Sequence, residues 1–169
     1  MEHPVPSGDA LGAPWVYWVR AWLIRPHDGF DMLGHVVANN GSAFAEILTI
    51  AGASVRVRGT GAQPQLLETP LDDRSTAAGQ IPLIVAMGAA QHNPYRFRVA
   101  AVLLVRHLED VAAQYQEFCE TNGLRGLGPG QRLFWIETSS NSQAFLADFI
   151  SQYPAPDPAP QAVRDLASW

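Results

Sequence analysis

The four residues Ala38-Asn39-Asn40-Gly41 stand directly before a helical pattern and carry no ionisable group, so any chemistry there comes from the backbone. A turn that opens a helix offers its N–H groups and the positive end of the helix dipole to an anion such as a phosphate. Arg56 and Arg58 follow on an extended stretch within reach of the turn. An arginine in that place neutralises a phosphate or meets a base edge. Alternation puts both arginines on one strand face and Val55 and Val57 on the other. Phe30, Leu33, Val37 and Val55 supply apolar surface for a platform, and Ser42 begins the helix.

The elements that position these groups are legible from pattern. Residues 15–24, WVYWVRAWLI, are aromatic and β-branched and predict a strand. Asp28 is placed to cap a short helix carrying Phe30, Leu33 and Val37. Residues 42–51 predict a second helix that buries Phe44, Ile47, Leu48 and Ala51 and stops at Gly52. Residues 54–58 and 82–86 read as strands, and the polar stretch 60–80 between them reads as a loop. After Asn93-Pro94, Phe97, Ala101, Leu104, Leu108, Val111, Tyr115 and Phe118 recur at three and four, predicting a long helix over 95–121. Beyond it, 132–136 reads as a strand and 142–153 as a helix bearing Phe145, Leu146, Phe149 and Ile150.

Both faces of the first strand are apolar. Trp15, Tyr17, Val19, Ala21 and Leu23 fall on one side, and Val16, Trp18, Arg20, Trp22 and Ile24 on the other. A sheet with helices on one side only leaves Trp18 and Trp22 bare, so something must cover them. The candidates are the segment after the long helix and a partner chain, including a second copy.

The run Val37-Ala38-Asn39-Asn40-Gly41-Ser42, the helix to Ala51, and Gly52-Ala53-Ser54-Val55-Arg56-Val57-Arg58-Gly59 resemble the core of the K homology (KH) domain. That core runs hydrophobic-Gly-x-x-Gly-polar, then a helix ending in Gly-Ala, then a strand. The resemblance covers roughly residues 16–121 and implies an α+β fold of type I, βααββα, with a three-stranded antiparallel sheet packed on three helices. A C-terminal strand and helix are added to it. Ala38 stands where the family has its first Gly, and Asn39 and Asn40 stand where it usually has a Lys or Arg. By resemblance, the function is binding of short single-stranded RNA, less often DNA. Ala38, Asn39, Asn40, Gly41 and Ser42 would hold the backbone, Phe30, Leu33, Val37 and Val55 would line the groove, and Arg56 or Arg58 would read or neutralise. The resemblance implies no cofactor.

Composition bounds these expectations. A chain of 169 residues with 47% hydrophobic and 16% charged residues suits one globular domain with an extension. The expected division is a lead-in over 1–14, the KH-like domain over 15–121, a packed extension over 122–153 and a Pro-rich tail over 154–169. All 11 basic residues are Arg, and the net charge is −5, which argues against a broad electrostatic footprint on nucleic acid. That balance and the neutral turn keep open a second class of function, a KH-like protein interaction or self-association module without nucleic-acid binding, using the aromatic sheet face. Cys119 is the one cysteine, so no intrachain disulfide forms and a reducing, intracellular home, cytoplasm or nucleus, is expected. No stretch is long and apolar enough to span a bilayer. The five histidines lack metal-ligand spacing, and no nucleophile elbow, phosphate-binding loop or HExxH pattern occurs, so neither a metal site nor an enzyme is expected.

Overall fold

The computed structural model describes residues 15–58 and 83–155. The lead-in over 1–14, the loop over 60–80 and the tail beyond 155 lie outside the described residues. In chain order the elements are β1 (Tyr17–Leu23), α1 (Met32–Ala51), β2 (Ser54–Arg58), β3 (Ile84–Ala89), α2 (Pro94–Thr121), β4 (Phe134–Thr138) and α3 (Ala147–Gln152), with a single 3₁₀ turn over Ser140–Ser142. The fold is α+β: one antiparallel sheet of four strands, ordered β2-β3-β1-β4, with helices against it. Four strands rather than three is the first correction, because the C-terminal strand does not lie across the sheet but hydrogen-bonds to the free edge of β1.

The pleat sorts the strands into two faces. On one, Tyr17, Val19, Ala21 and Leu23 of β1, Val57 of β2, Val85 and Met87 of β3, and Phe134 and Ile136 of β4 are buried in the main core. This core is closed by α2 through Phe97, Ala101, Leu104, Leu108, Val111 and Tyr115, as the periodicity predicts, and at its end through Cys119, while Phe118 is only half-buried at the edge. The C-terminal segment joins this same side. Leu146, Phe149 and Tyr153 are core residues, and Arg98 of α2 donates to the Phe145 carbonyl at 2.8 Å and grips Asp148 at 2.9 and 2.7 Å. The Tyr153 hydroxyl donates to Glu109, with Arg132 over its ring at 5.0 Å. Only Ala147–Gln152 of the helix expected over 142–153 forms; the residues before it are spent on a 3₁₀ turn held by Ser139 and Ser142.

The second face carries the aromatic ladder. Rows run across the strands as Arg58, Ile84, Trp22, Trp135 and as Arg56, Ala86, Arg20, Glu137. Trp22 and Trp135 stack at 6.3 Å and 6°. They are 1% and 6% exposed within the single chain, and Trp18 beside them is half-buried, so neither Trp22 nor Trp135 offers a bare ring to a partner. Nor does the C-terminal helix shield it, as the sequence suggests, since that helix sits with α2 on the opposite side. Trp15 also departs from strict alternation: it packs with Ala86 and Trp18 on the second face, because the chain is not yet strand before Tyr17. Its ring lies so close over Gly88 that a Cβ there would meet Trp15 at 1.9 Å.

Caps define the helix ends. Asp31, not Asp28, accepts from the Gly34 amide at 3.0 Å and starts α1, while Asp28 precedes Gly29, whose φ of +97° turns the chain first. Gly52 ends α1 in the left-handed conformation, its N–H bonded to the Leu48 carbonyl at 2.9 Å. Asn93 caps α2 through the Arg96 amide at 3.1 Å, with Pro94 in the first turn.

Candidate nucleic-acid interface

The turn singled out by sequence is a break inside α1. Ala38, Asn39, Asn40 and Gly41 have φ of 26°, 51°, 58° and 80°, against the negative values of the helical arms before and after. Left-handed backbone suits glycine and is tolerated by asparagine, but it costs an alanine roughly 1–3 kcal/mol. The sequence thus spends two asparagines and a glycine where the conformation requires them and accepts strain at Ala38. Asn39, Asn40 and Ser42 are exposed, Val37 and Ala38 half-buried, and no atom lies within 4 Å of where a Gly41 Cβ would stand. The turn therefore faces solvent and opens the second arm, residues 42–51.

Two anchors hold the arms at this angle. The first arm buries Met32 and Val36, the second Ile47 and Ala51, an amphipathic pattern that seats both beside α2. Between them stands His107 of α2, whose Nε2 lies 2.6 Å from the Val36 carbonyl. Its ring meets that of Phe44 edge-on at 6.0 Å. His107 so ties the end of the first arm to the start of the second. Nothing local selects it, since a lone histidine on a long helix reads as a surface residue; only the antiparallel packing of α1 on α2 brings it beneath the turn. Lower on the first arm, His35 Nδ1 pairs with Gln114 at 2.5 Å and its ring stacks on Phe30 at 4.4 Å.

The remaining candidates divide. Phe30 is buried, packed against Tyr115 at 5.0 Å and Phe118 at 5.4 Å, so it is core rather than groove wall. Leu33 and Val55 are half-buried at the core edge. Arg56 and Arg58 are not brought to the turn: with Val55 and Val57 directed to the helices, the pleat turns both arginines to the opposite sheet face. There they share rows with Arg20 and Trp22. Arg20 on that face pairs with Glu137 at 3.1 Å and stacks over Trp18 at 4.4 Å. Burial lowers the pKa of its guanidinium and the charge of Glu137 opposes that, but an arginine stays charged under any ordinary condition.

Other chemistry finds little purchase among the described residues. The cavity between the sheet and α2, about 10 Å³ and lined by residues such as Val19, Leu104, Ile136 and Phe149, is wholly apolar and about the size of one water. No group of three or more His, Cys, Asp or Glu is placed to hold a metal among the described residues. His27 contacts the Arg125 carbonyl at 2.7 Å and His92 meets the edge of Tyr17, contacts of packing rather than of a cluster. No helix of the described residues is long and apolar enough to cross a membrane. No protein-family model matches the chain, and no curated protein or solved structure matches it.

Proposed function

We propose that this chain is a divergent KH-like module of the type I arrangement, with β4 and α3 appended, and that it binds short single-stranded RNA, less readily DNA, at the turn of residues 38–42. The observation that carries this reading is the run of four positive-φ residues inside α1, exposed at Asn39 and Asn40 and ending where the second arm begins. Backbone strain held at a solvent-facing turn is a recurrent mark of binding sites. A helix N-terminus next to such a turn attracts phosphate without a charged side chain. In this reading Ala38, Asn39, Asn40, Gly41 and Ser42 hold the sugar-phosphate chain. Val37, Leu33 and Val55 border it, and Arg56 and Arg58 take no part because they lie behind the sheet.

Binding by dipoles alone is weak, of the order of tens of micromolar at low salt, and shallow in its salt dependence because few cations are displaced. The test is a fluorescence-anisotropy titration of labelled random hexamer RNA against the protein at low salt, repeated with Asn39→Asp/Asn40→Asp and with Arg56→Ala/Arg58→Ala. Saturable binding that the two aspartates abolish and the two alanines leave within about twofold is the expected result. Absence of a saturable signal defeats the reading. A second reading, an interaction module without nucleic-acid binding, is favoured by the neutral turn and by the turned-away arginines, and that null titration is the result it requires.

A further inference from the structure

The outward side of α2 is not uniformly polar. Tyr95, Val99 and Val102 are 85%, 44% and 36% exposed. Together with Arg106, Asp110 and Ala113 they recur at three and four along the helix, which places all six on one stripe. Leu48 of α1, expected in the core from its sequence position, is instead 54% exposed. It lies on the flank of this stripe, one turn from Phe44 and from Gly52, which meet His107 and Arg96 of α2 respectively. The stripe leads away from the sheet and is distinct from the turn at 38–42.

We propose that this stripe is a two-fold interface between two copies of the chain, with α2 packed antiparallel on α2 of the partner subunit. The reason for naming a second copy is that the stripe is complementary to itself. A two-fold contact requires that residue i meet residue j and that j meet i. The midpoint of Arg96 and Asp110 is Leu103 and that of Tyr95 and Ala113 is Leu104, one residue or about 1.5 Å apart along the helix, so a single axis at that height brings both pairs close. Arg96 then faces Asp110 of the partner subunit, the Tyr95 ring faces the small side chain of Ala113 of the partner subunit, and Val102 and Arg106 of each copy lie to either side of the axis. Arg96 and Asp110 lie on the same flank, the α1 side, as antiparallel pairing demands. Both are exposed, and neither belongs to an ion pair among the described residues. The Arg96 guanidinium lies over Gly52 at the end of α1 and donates to the neutral Gln91 side chain at 3.3 Å.

A contact made by one helix face and its flank falls below the roughly 1,200 Å² of a standard interface, so the dimer is weak, with a dissociation constant of about 10–100 μM. The test is sedimentation equilibrium of the whole chain from about 5 to 300 μM, for the wild type, Arg96→Asp, Asp110→Arg and the double variant. Each single exchange sets like charges opposite each other twice per dimer and weakens association about tenfold or more. The double variant restores the pairing and returns to within about threefold of the wild type. Val102→Glu, at the centre of the stripe, abolishes association while circular dichroism shows a folded chain. A monomeric wild type throughout the range, single variants that associate as the wild type does, or a double variant that stays as weak as the singles each overturns the proposal.

Discussion

Replacing Ala38 by glycine is the most direct probe of the broken helix, because the structure sets its sign against intuition. Glycine within a helix normally destabilises by roughly 0.5–1 kcal/mol relative to alanine. Ala38, however, sits at φ 26° and ψ 135°, a region that costs an L-residue roughly 1–3 kcal/mol and glycine little. The difference is a net gain of about 1 kcal/mol, which for a chain of this length raises the melting temperature by about 2–4 °C. Gly41→Ala is the converse. With φ +80° and no atom within 4 Å of the added methyl, its penalty is purely conformational, about 1 kcal/mol, and the melting temperature falls correspondingly. Thermal unfolding followed by circular dichroism, with urea unfolding as a check on m, measures both. If Ala38→Gly lowers the melting temperature, or Gly41→Ala leaves it unchanged, the residues are not held in left-handed backbone and the account of the turn fails. The same pair of variants in the RNA titration separates shape from stability. Relief of strain at position 38 leaves affinity unchanged or improved, whereas a methyl at position 41 weakens binding in the variant that remains folded.

Two further outcomes follow from the contacts around the core. His107→Ala removes the hydrogen bond to the Val36 carbonyl and the edge contact with Phe44; it costs about 1–2 kcal/mol, and amide hydrogen exchange accelerates selectively over residues 36–44, a uniform change along the chain being the result that contradicts the anchoring role. The Tyr153 phenol is pushed up to about 12, first by burial and then by its hydrogen bond to Glu109 and the charge there, with Arg132 pulling the other way. The folded chain therefore keeps that proton when the unfolded chain loses it, so the stabilisation is complete below the ordinary tyrosine pKa of about 10 and is lost as pH rises from there toward about 12. Solvent near the hydroxyl limits the effect to the order of 1 kcal/mol, and the stability difference between wild type and Tyr153→Phe narrows by that amount between pH 9 and 11.5; a constant difference refutes it.

Much of the architecture was legible because its signals are local. The alternation in β1, the three-four repeat of Phe97 to Tyr115, and Gly52 at a helix end each follow from the period or the conformational demand of one element, and each is seen as read. The break at 38–41 was legible for the same reason, since Asn-Asn-Gly is a short run able to hold successive positive φ. Where local logic runs out, the differences between pattern and fold share a cause. Helical period puts Leu48 in the core, yet it is exposed, because the width of the buried stripe depends on how closely α2 approaches. Asp28 satisfies the local rule for a cap, but Asp31 satisfies it too, and the fold uses Asp31. The family resemblance implies a groove role for Phe30, whereas Tyr115 and Phe118, distant in sequence, and His35, a turn away, enclose it.

By itself, then, the amino-acid order determined the periods: which residues share a face, where helices stop, and where the backbone must turn left-handed. Tertiary structure alone decided which face meets which neighbour. It sent β4 to the open edge of β1 rather than across the aromatic face, set Arg56 and Arg58 behind the sheet from the turn they were expected to serve, and brought His107 under that turn. The physical reason is that a strand's pleat fixes only relative sidedness, and a helix's period only a stripe. The choice of which side turns inward is made by the summed burial of elements far apart in the chain, which no local window contains.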